Sequence, residues 1–180
     1  MGRVFAQHAL RKDAPTVALV NVGEEPGKGT EVVKETFEKL NQMPDLGFIG
    51  NIEGRDVFHH GADVIVCDGF VGNVMLKLGE SISTILPRLF ANEIENQGVS
   101  DDVASGVEKI LKGVADRYDY ENYGGVPLLG VDGTAVIGHG GSSARAIARM
   151  VTHTAELVEG GVTAHIAEAI ARPSADHVSA

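Results

Sequence analysis

The stretch 63–77, DVIVCDGFVGNVMLK, decides the fold, because it changes from one kind of secondary structure to another within a few residues. Its first five residues are a largely apolar run that predicts a buried strand, and the turn that follows leads into an amphipathic helix. Gly69 and Gly72 leave backbone N–H groups at the helix start, where the helix dipole favours an anion. Asn73 adds an amide, and Lys77 lies one turn further along the same face. The stretch therefore predicts either a site for phosphate or an oxyanion, or a plain strand-to-helix turn with a solvated lysine.

The rest of the chain continues the alternation of strands and helices. Apolar runs at 16–21 and 47–52 predict two more strands, with a helix between them that begins after Thr30. This order favours right-handed crossovers and a mostly parallel sheet flanked by helices. Two successive helices joined by a polar link predict a helical hairpin at 70–118. A further strand at 134–138 then opens into a glycine loop and a helix.

Composition and charge limit the classes of protein to which the chain can belong. Its 180 residues suit one α/β domain or a large part of a bigger one, and a hydrophobic fraction of 43% supplies a sizeable core. A net charge of −10 argues against nucleic acid as a partner, because non-specific binding needs basic surfaces. Cys67 is the only cysteine, so neither an internal disulfide nor a thiolate zinc cluster can form. The sequence shows no membrane-spanning or signal segment, and we expect a cytoplasmic protein.

Three predicted strands end in loops that contain glycine, at 23–29, 68–72 and 138–141. Ligands of open α/β sheets bind at the carboxyl ends of the strands, so parallel strands would bring all three loops to one edge. The first loop resembles a P-loop, but its glycine spacing is one residue short and Gly29 replaces the expected Ser or Thr. This argues against a nucleoside triphosphatase. Lys28 in this loop is either a cation that binds an anion or a solvated turn lysine.

His139 opens the third loop, where it can donate to a substrate oxygen or cap the neighbouring helix. Other catalytic patterns are missing from the sequence. The chain has no G-x-S-x-G elbow and no G-x-G-x-x-G fingerprint after a strand, which argues against serine-hydrolase chemistry and dinucleotide binding. Side chains at metal-ligand spacing are missing too, so we expect neither a metal nor a cofactor.

The far end of the predicted hairpin carries Leu86, Leu89, Phe90 and Ile94, with Arg88 between Leu86 and Leu89. An apolar stripe at helical spacing is most often core or a dimer interface. The alternative is a contact with a membrane surface, in which Arg88 meets anionic lipid.

Several motifs together resemble one known family. In chain order they are NVGEE with KG at 21–29, FIGNIEGRD at 48–56, CDGFVGNV at 67–74, the segment from YGG to LLG at 123–130, and IGHG at 137–140. This set is similar to the bacterial acyl-ACP:phosphate acyltransferase family, PlsX, from Met1 to about Glu159. The resemblance implies a fold like that of isocitrate dehydrogenases and phosphotransacetylases, with a protruding helical hairpin. Because that family is longer and begins with a strand motif that is missing here, we expect a single α/β domain over 1–180 that is its C-terminal portion.

The resemblance also implies a reaction. Inorganic phosphate attacks the thioester carbonyl of a fatty acyl-acyl carrier protein, giving free carrier protein and an acyl phosphate for phospholipid synthesis. Family members are homodimers that associate peripherally with the membrane through the hairpin. We expect Lys28 and Asn73 to be catalytic: Lys28 neutralises the phosphate, and Asn73 holds the phosphate or the tetrahedral oxyanion. We expect the substrate to be bound by the following residues: Gly23, Gly69, Gly72, Lys77, His139 and Gly140.

Two other functions stay open at this point. The chain could be a non-catalytic module for dimerisation or carrier binding, or a phosphotransacetylase-like enzyme that uses acyl-CoA. An acidic carrier protein needs a basic landing area, for which Lys109, Lys112 and Arg117 are the candidates. Such residues are more often part of an ordinary solvated helix face.

Overall fold

The computed structural model describes residues 1–59, 61–117 and 119–171, without the side chains of Ser83, Thr84, Arg117 and Tyr120. In chain order its helices and strands are α1 (Gly2–His8), β1 (Val17–Val20), α2 (Glu31–Asn41), β2 (Phe48–Ile52), β3 (Val64–Val66), α3 (Gly69–Gln97), α4 (Asp101–Arg117), β4 (Val126–Pro127), β5 (Val136–Ile137), α5 (Ala144–Glu159) and α6 (Val162–Ala171). This alternation confirms the predicted α/β class.

The described residues fall into two compact units. Of the described residues, the sheet unit contains those within 1–67, 126–137 and 151–171, and the hairpin unit contains those within 68–125 and 138–150. The single domain predicted over 1–180 stays a prediction. Tyr118, at which the predicted hairpin ends, lies outside the described residues.

The sheet unit is built on a three-stranded parallel sheet in the order β2-β1-β3. The central strand β1 carries the buried residues Val17, Ala18 and Leu19, because a parallel sheet is covered on both faces. The α2 crossover joins β1 to β2, and Thr30 Oγ1 accepts a hydrogen bond from Val33 N–H at 3.4 Å, as the predicted cap requires. A second apolar cluster joins α1 to the end of α5 and to α6, around Leu157, Val162 and Ile166.

The strand predicted at 134–138 forms as β5, but outside the parallel sheet. β5 pairs antiparallel with β4 in a separate ladder, with Val126 opposite Ile137 and Pro127 opposite Val136. The connecting segment 128–135 is short, which suits an antiparallel pair, whereas a parallel pair needs a crossover of about a dozen residues or more. The condition that all three loops follow parallel strands is therefore not met by the loop 138–141.

The hairpin unit consists mainly of α3 and α4, which pack against each other and confirm the predicted helical hairpin. α3 ends at Gly98, whose φ of +57° is the left-handed conformation that glycine adopts most readily. The sequence predicts that Pro87 kinks or ends this helix, yet α3 continues to Gln97.

No helix among the described residues, α3 included, has the length and apolar character needed to cross a bilayer.

Asp63 ties the beginnings of β1 and β3 together. Its carboxylate accepts hydrogen bonds from the N–H and the hydroxyl of Thr16, both at 3.0 Å, and lies 3.0 Å from Lys12 Nζ. The backbone hydrogen bond from Thr16, followed by the hydrogen bonds from Lys12 and the Thr16 hydroxyl, lowers the pKa of Asp63 to about 2. Ionised Asp63 therefore stabilises the folded state.

We predict that Asp63→Asn lowers the urea midpoint of unfolding at neutral pH. Because the folded pKa lies below the unfolded value of about 3.9, the contribution is present above about pH 4 and lost as the pH falls through about 2. Urea titrations of wild type and variant should therefore converge in acid. Equal midpoints at neutral pH would contradict this role, and Asp13→Asn, an exposed position nearby, is the control.

Candidate active site

The loop after β1 is closed by the buried side chain of Asn21. Its Nδ2 donates to the carbonyl of Lys28 at 3.0 Å, and its Oδ1 accepts from Val22 N–H at 2.8 Å. One carboxamide therefore holds both ends of the loop 22–28. A buried polar side chain at the end of a strand costs stability unless it is paired, and here both ends of the amide are used.

Asn51, at the end of β2, holds the middle of the same loop. Its Nδ2 donates to the carbonyl oxygens of Glu25 at 3.2 Å and Glu24 at 3.4 Å. The pairing of β1 with β2 shifts register before Asn51, and Gly50 has a φ of +104°, so a bulge in β2 accompanies the inward position of this carboxamide. Asn21 and Asn51 thus fix the loop from two neighbouring parallel strands, an arrangement that we call the clasp.

Gly29 is required by this arrangement. Its φ is +87°, and a Cβ at this position would collide with Asn21 Oδ1. Gly27, two residues earlier, has no atom within 4 Å of such a Cβ. The clasp therefore requires glycine at position 29 but not at position 27.

We predict that Gly29→Ala opens the loop and lowers the free energy of unfolding by roughly 1–3 kcal/mol, the range for a non-glycine residue held at positive φ. Gly27→Ala is the matched control and should leave stability within about 0.5 kcal/mol of wild type. Denaturant unfolding of both variants checks this. A Gly29→Ala protein as stable as Gly27→Ala would contradict the clasp.

Lys28 presents the cation of this loop. Its side chain is exposed, and the aliphatic stem lies over Gly23, where a Cβ would sit 3.2 Å from Lys28 Cγ. Within the described part of the chain, the ammonium group forms no ion pair. The carboxylate of Glu25 also lies beside Gly23, which places a competing negative charge near any anion bound there. Because Gly23 has no side chain, the side chains of Lys28 and Glu25 can both lie beside it.

The turn before α3 differs from the prediction. Asp68 caps the helix, and its Oδ1 accepts from Phe70 N–H at 2.9 Å and from Val71 N–H at 3.0 Å. The N–H of Gly72 donates to the Asp68 carbonyl at 2.9 Å. The expectation that Gly72 offers a bare N–H is therefore wrong, because Asp is a strong N-cap and its carboxylate already occupies the positive end of the helix. A Cβ at Gly69 would meet no atom within 4 Å, so the turn is open on that side.

Asn73 and Lys77 follow on the exposed surface of α3. In the part of the chain that the structure describes, the Asn73 carboxamide has no hydrogen-bond partner. Lys77 Nζ lies 2.8 Å from Glu80 Oε2, so the carboxylate offsets much of the positive field that the sequence assigns to Lys77. The hydrogen bond from Lys77, together with the charges of Lys77 and His139, lowers the pKa of Glu80. Substrate binding by Lys77 stays a prediction.

His139 lies in a tight turn within the hairpin unit. Its carbonyl accepts from Ser142 N–H at 3.0 Å and from the Ser142 hydroxyl at 2.7 Å, and its Nδ1 accepts from Gly141 N–H at 3.1 Å. The alternative that His139 caps the next helix is wrong, because Ser143 Oγ accepts from Ala146 N–H at 3.2 Å and so caps α5. Gly140 is exposed, and a Cβ at its position would meet no atom within 4 Å.

The sequence did not reveal the contacts that hold the segment 119–124 against α5. Arg145 Nη2 lies 3.0 Å from Asp119 Oδ2 and 3.4 Å from Asn122 Oδ1, which joins the turn at 119–122 to the start of α5. Gly124 is buried at a φ of +74°, against the backbone of α5. The signal was present in the Tyr-Gly-Gly motif, but a motif does not reveal its partner.

The structure describes most of the hairpin residues for which a contact with a partner or a membrane is predicted. Leu89 and Phe90 are exposed, and so are Lys109 and Lys112 on α4. The side chain of Arg117, the third basic candidate, lies outside the described residues. Among the described residues, three or more His, Cys, Asp or Glu side chains nowhere come together in a way that could hold a metal ion.

Comparison with known proteins identifies the family. A family model described as "Fatty acid synthesis protein" matches residues 1–165. Three relatives named "Phosphate acyltransferase" come from Salinibacter ruber (46% identical), Heliobacterium modesticaldum (44%) and Dictyoglomus turgidum (41%), and the alignments cover 93%, 94% and 94% of this chain. They cover 49%, 50% and 51% of the relatives, so the chain spans about half the length of these proteins. The resemblance drawn from the motifs is confirmed, and the chain belongs to the fatty acid synthesis protein family, the PlsX family.

Proposed function

We propose that the chain carries the C-terminal part of a phosphate acyltransferase that uses acyl-[acyl-carrier-protein] and inorganic phosphate. The products are acyl phosphate, for phospholipid synthesis, and free carrier protein. The family match over residues 1–165 carries this proposal, since the relatives share the name phosphate acyltransferase. The clasped loop gives that chemistry a physical basis, because its Lys28 ammonium group forms no ion pair with any residue that the structure describes.

The reaction needs positioning and charge stabilisation more than it needs a strong base. Phosphate is already a nucleophile near neutral pH, and its oxygen attacks the thioester carbonyl carbon while the carbon–sulfur bond breaks. In our proposal Lys28 neutralises the phosphate, and Asn73 donates to the oxygen that becomes negative in the transition state. Both side chains are exposed and, in the described chain, neither has a competing side-chain partner. Their action on one substrate is part of the proposal.

The remaining substrate contacts follow from the same chemistry. Gly69 lets the substrate approach the backbone closely, and the open surface at Gly140 leaves room beside His139. Gly23 contributes indirectly, because it makes room for the side chains of Lys28 and Glu25. We retain Gly72 and Lys77 only as flanking positions, because the Gly72 N–H and the Lys77 ammonium group already have partners.

The proposed partners are acyl carrier protein, a second copy of the chain and the membrane surface. Exposed Lys109 and Lys112 suit an acidic carrier protein. Exposed Leu89 and Phe90 suit either a dimer interface or peripheral contact of a cytoplasmic protein with lipid.

A second candidate is a non-catalytic module that binds the carrier or dimerises, for which the exposed Lys109, Lys112, Leu89 and Phe90 offer surfaces. A third candidate is the same transfer from acyl-CoA.

One assay separates these functions. The chain, alone and mixed with the remaining half of the Salinibacter ruber relative, is given acyl-carrier protein or acyl-CoA, and phosphate-dependent thiol release and acyl phosphate are measured. We expect acyl phosphate from the carrier thioester. Turnover of acyl-CoA alone would indicate the phosphotransacetylase-like enzyme. Carrier binding without turnover, in both mixtures, would indicate the non-catalytic module.

A further inference from the structure

We infer that the turn at 139–142 fixes His139 as a hydrogen-bond donor through Nε2 and prevents it from acting as a base through Nδ1. This inference rests on the proposed function, because it assigns a chemical role to one residue of that site. It concerns only residues of the hairpin unit, whose contacts are described above.

The hydrogen bond to the ring decides the tautomer. Gly141 N–H donates to His139 Nδ1 at 3.1 Å, and a ring nitrogen that accepts a hydrogen bond carries no proton. In a neutral imidazole the other nitrogen then holds the proton, so Nε2 becomes the donor. A proton on Nδ1 would face the Gly141 N–H directly, which makes that tautomer less favourable.

The rest of the turn holds this donor in place. Both Ser142 N–H and Ser142 Oγ–H donate to the His139 carbonyl. These two hydrogen bonds fix Ser142 relative to His139 and so hold the Gly141 N–H, which lies between them in the chain, beside the ring. A Cβ at Gly141 would lie 3.4 Å from Nδ1, an ordinary van der Waals contact. The position therefore tolerates alanine, and its importance lies in the N–H.

Charged groups on α3 also lie near the ring. Glu80 interacts electrostatically with His139, and Lys77 Nζ lies 2.8 Å from the Glu80 carboxylate. The hydrogen bond from Gly141, rather than these charges, selects the tautomer.

A neutral donor is sufficient for the proposed reaction. A phosphate oxygen forms the new bond to the carbonyl carbon, and the carbon–sulfur bond breaks with its electron pair going to sulfur. The proton of hydrogen phosphate ends on the thiolate, so atoms and charge balance without a proton from the ring. His139 Nε2–H contributes by donating to an oxygen that gains negative charge during the attack.

Two substitutions test the donor role. His139→Gln places an amide N–H near the position of Nε2, whereas His139→Asn places it near Nδ1. We expect His139→Gln to retain activity within about tenfold of wild type, and His139→Asn and His139→Ala to lose about a hundredfold to a thousandfold. If His139→Gln were as impaired as His139→Ala, proton transfer by the ring would be required and the inference would be overturned.

The tautomer can be measured without any activity. In protein labelled with ¹⁵N-histidine at about pH 8, where an unperturbed ring is neutral, we expect a protonated Nε2 and an unprotonated, hydrogen-bonded Nδ1 for His139. The His139→Gln spectrum assigns the signals. Gly141→Ala keeps the N–H and should keep this pattern, whereas Gly141→Pro should lose the hydrogen-bond shift of Nδ1. A proton on Nδ1 in wild type would overturn the inference, even if the chain proved inactive and the proposed function failed.

Discussion

Replacing Lys28 by methionine should lower phosphate-dependent formation of acyl phosphate by about a hundredfold to a thousandfold in kcat/KM, the loss typical of removing a charge-stabilising donor. Methionine keeps most of the stem that lies over Gly23 and removes only the ammonium group. Because the loop backbone is held by Asn21 and Asn51 rather than by the lysine side chain, the variant should fold normally. Initial rates at varied phosphate concentration check the prediction.

The matched control is Lys34→Met. Lys34 also belongs to the sheet unit, but it lies on α2 and pairs with Glu31 at 2.8 Å. Both variants change the net charge equally, so a general electrostatic effect would lower both rates alike. Lys28→Arg should recover part of the activity, since a positive charge is restored with different geometry. Near-normal turnover of Lys28→Met would remove this lysine from the site.

Replacing Asn73 by alanine should have a comparable effect on the rate, about a hundredfold, with little change in thermal stability. The carboxamide is exposed and, within the described chain, unpartnered, so its removal breaks no contact that stabilises the fold. Alanine also favours the helix more than asparagine does. The rate and the melting temperature, measured on the same preparation, separate catalysis from folding.

Two further variants define the role of Asn73. Asn73→Asp keeps the shape but removes the N–H donors and adds a negative charge, so it should lose at least as much activity as Asn73→Ala. Asn92→Ala changes the same residue type on the same helix and should retain the wild-type rate. If Asn73→Asp turned over normally, the carboxamide would not donate to the substrate.

The strands of the parallel sheet and their helices could be predicted because the signals are local. The apolar run at 16–21 is interrupted by no charged residue, and Thr30 is a favoured N-cap before the α2 pattern. Parallel pairing followed from the helix between β1 and β2. A helical crossover brings the chain back to the end of the sheet at which β1 begins, so β2 runs in the same direction as β1. Family membership followed from the order of the motifs.

The errors concern interactions between residues whose proximity a pattern does not specify. The apolar pattern predicts a strand at 134–138 but not its antiparallel partner β4, because two residues give too short a pattern to recognise. Asp68 reads as part of a turn, although the same residue type is a good cap for the helix that follows. Lys77 and Glu80 are three residues apart, so their ion pair could have been foreseen from the spacing.

The clasp illustrates what sequence alone leaves open. Asn21 and Asn51 belong to two recognised motifs, yet their role is to hold the carbonyl oxygens of the loop rather than to meet a ligand. Some motif residues thus support the loop backbone, whereas others are candidates for binding the substrate. Lys28 and Asn73, by contrast, present exposed polar groups with no partner in the described chain.

The central claim of the proposal is that the Lys28 ammonium group binds the phosphate. The most direct measurement is a crystal structure of the chain, together with the other half of the protein if the assay requires it, in saturating phosphate. We predict one phosphate with an oxygen atom about 2.7–3.2 Å from Lys28 Nζ. A phosphate-saturated crystal in which the loop at 23–29 is empty would contradict the account.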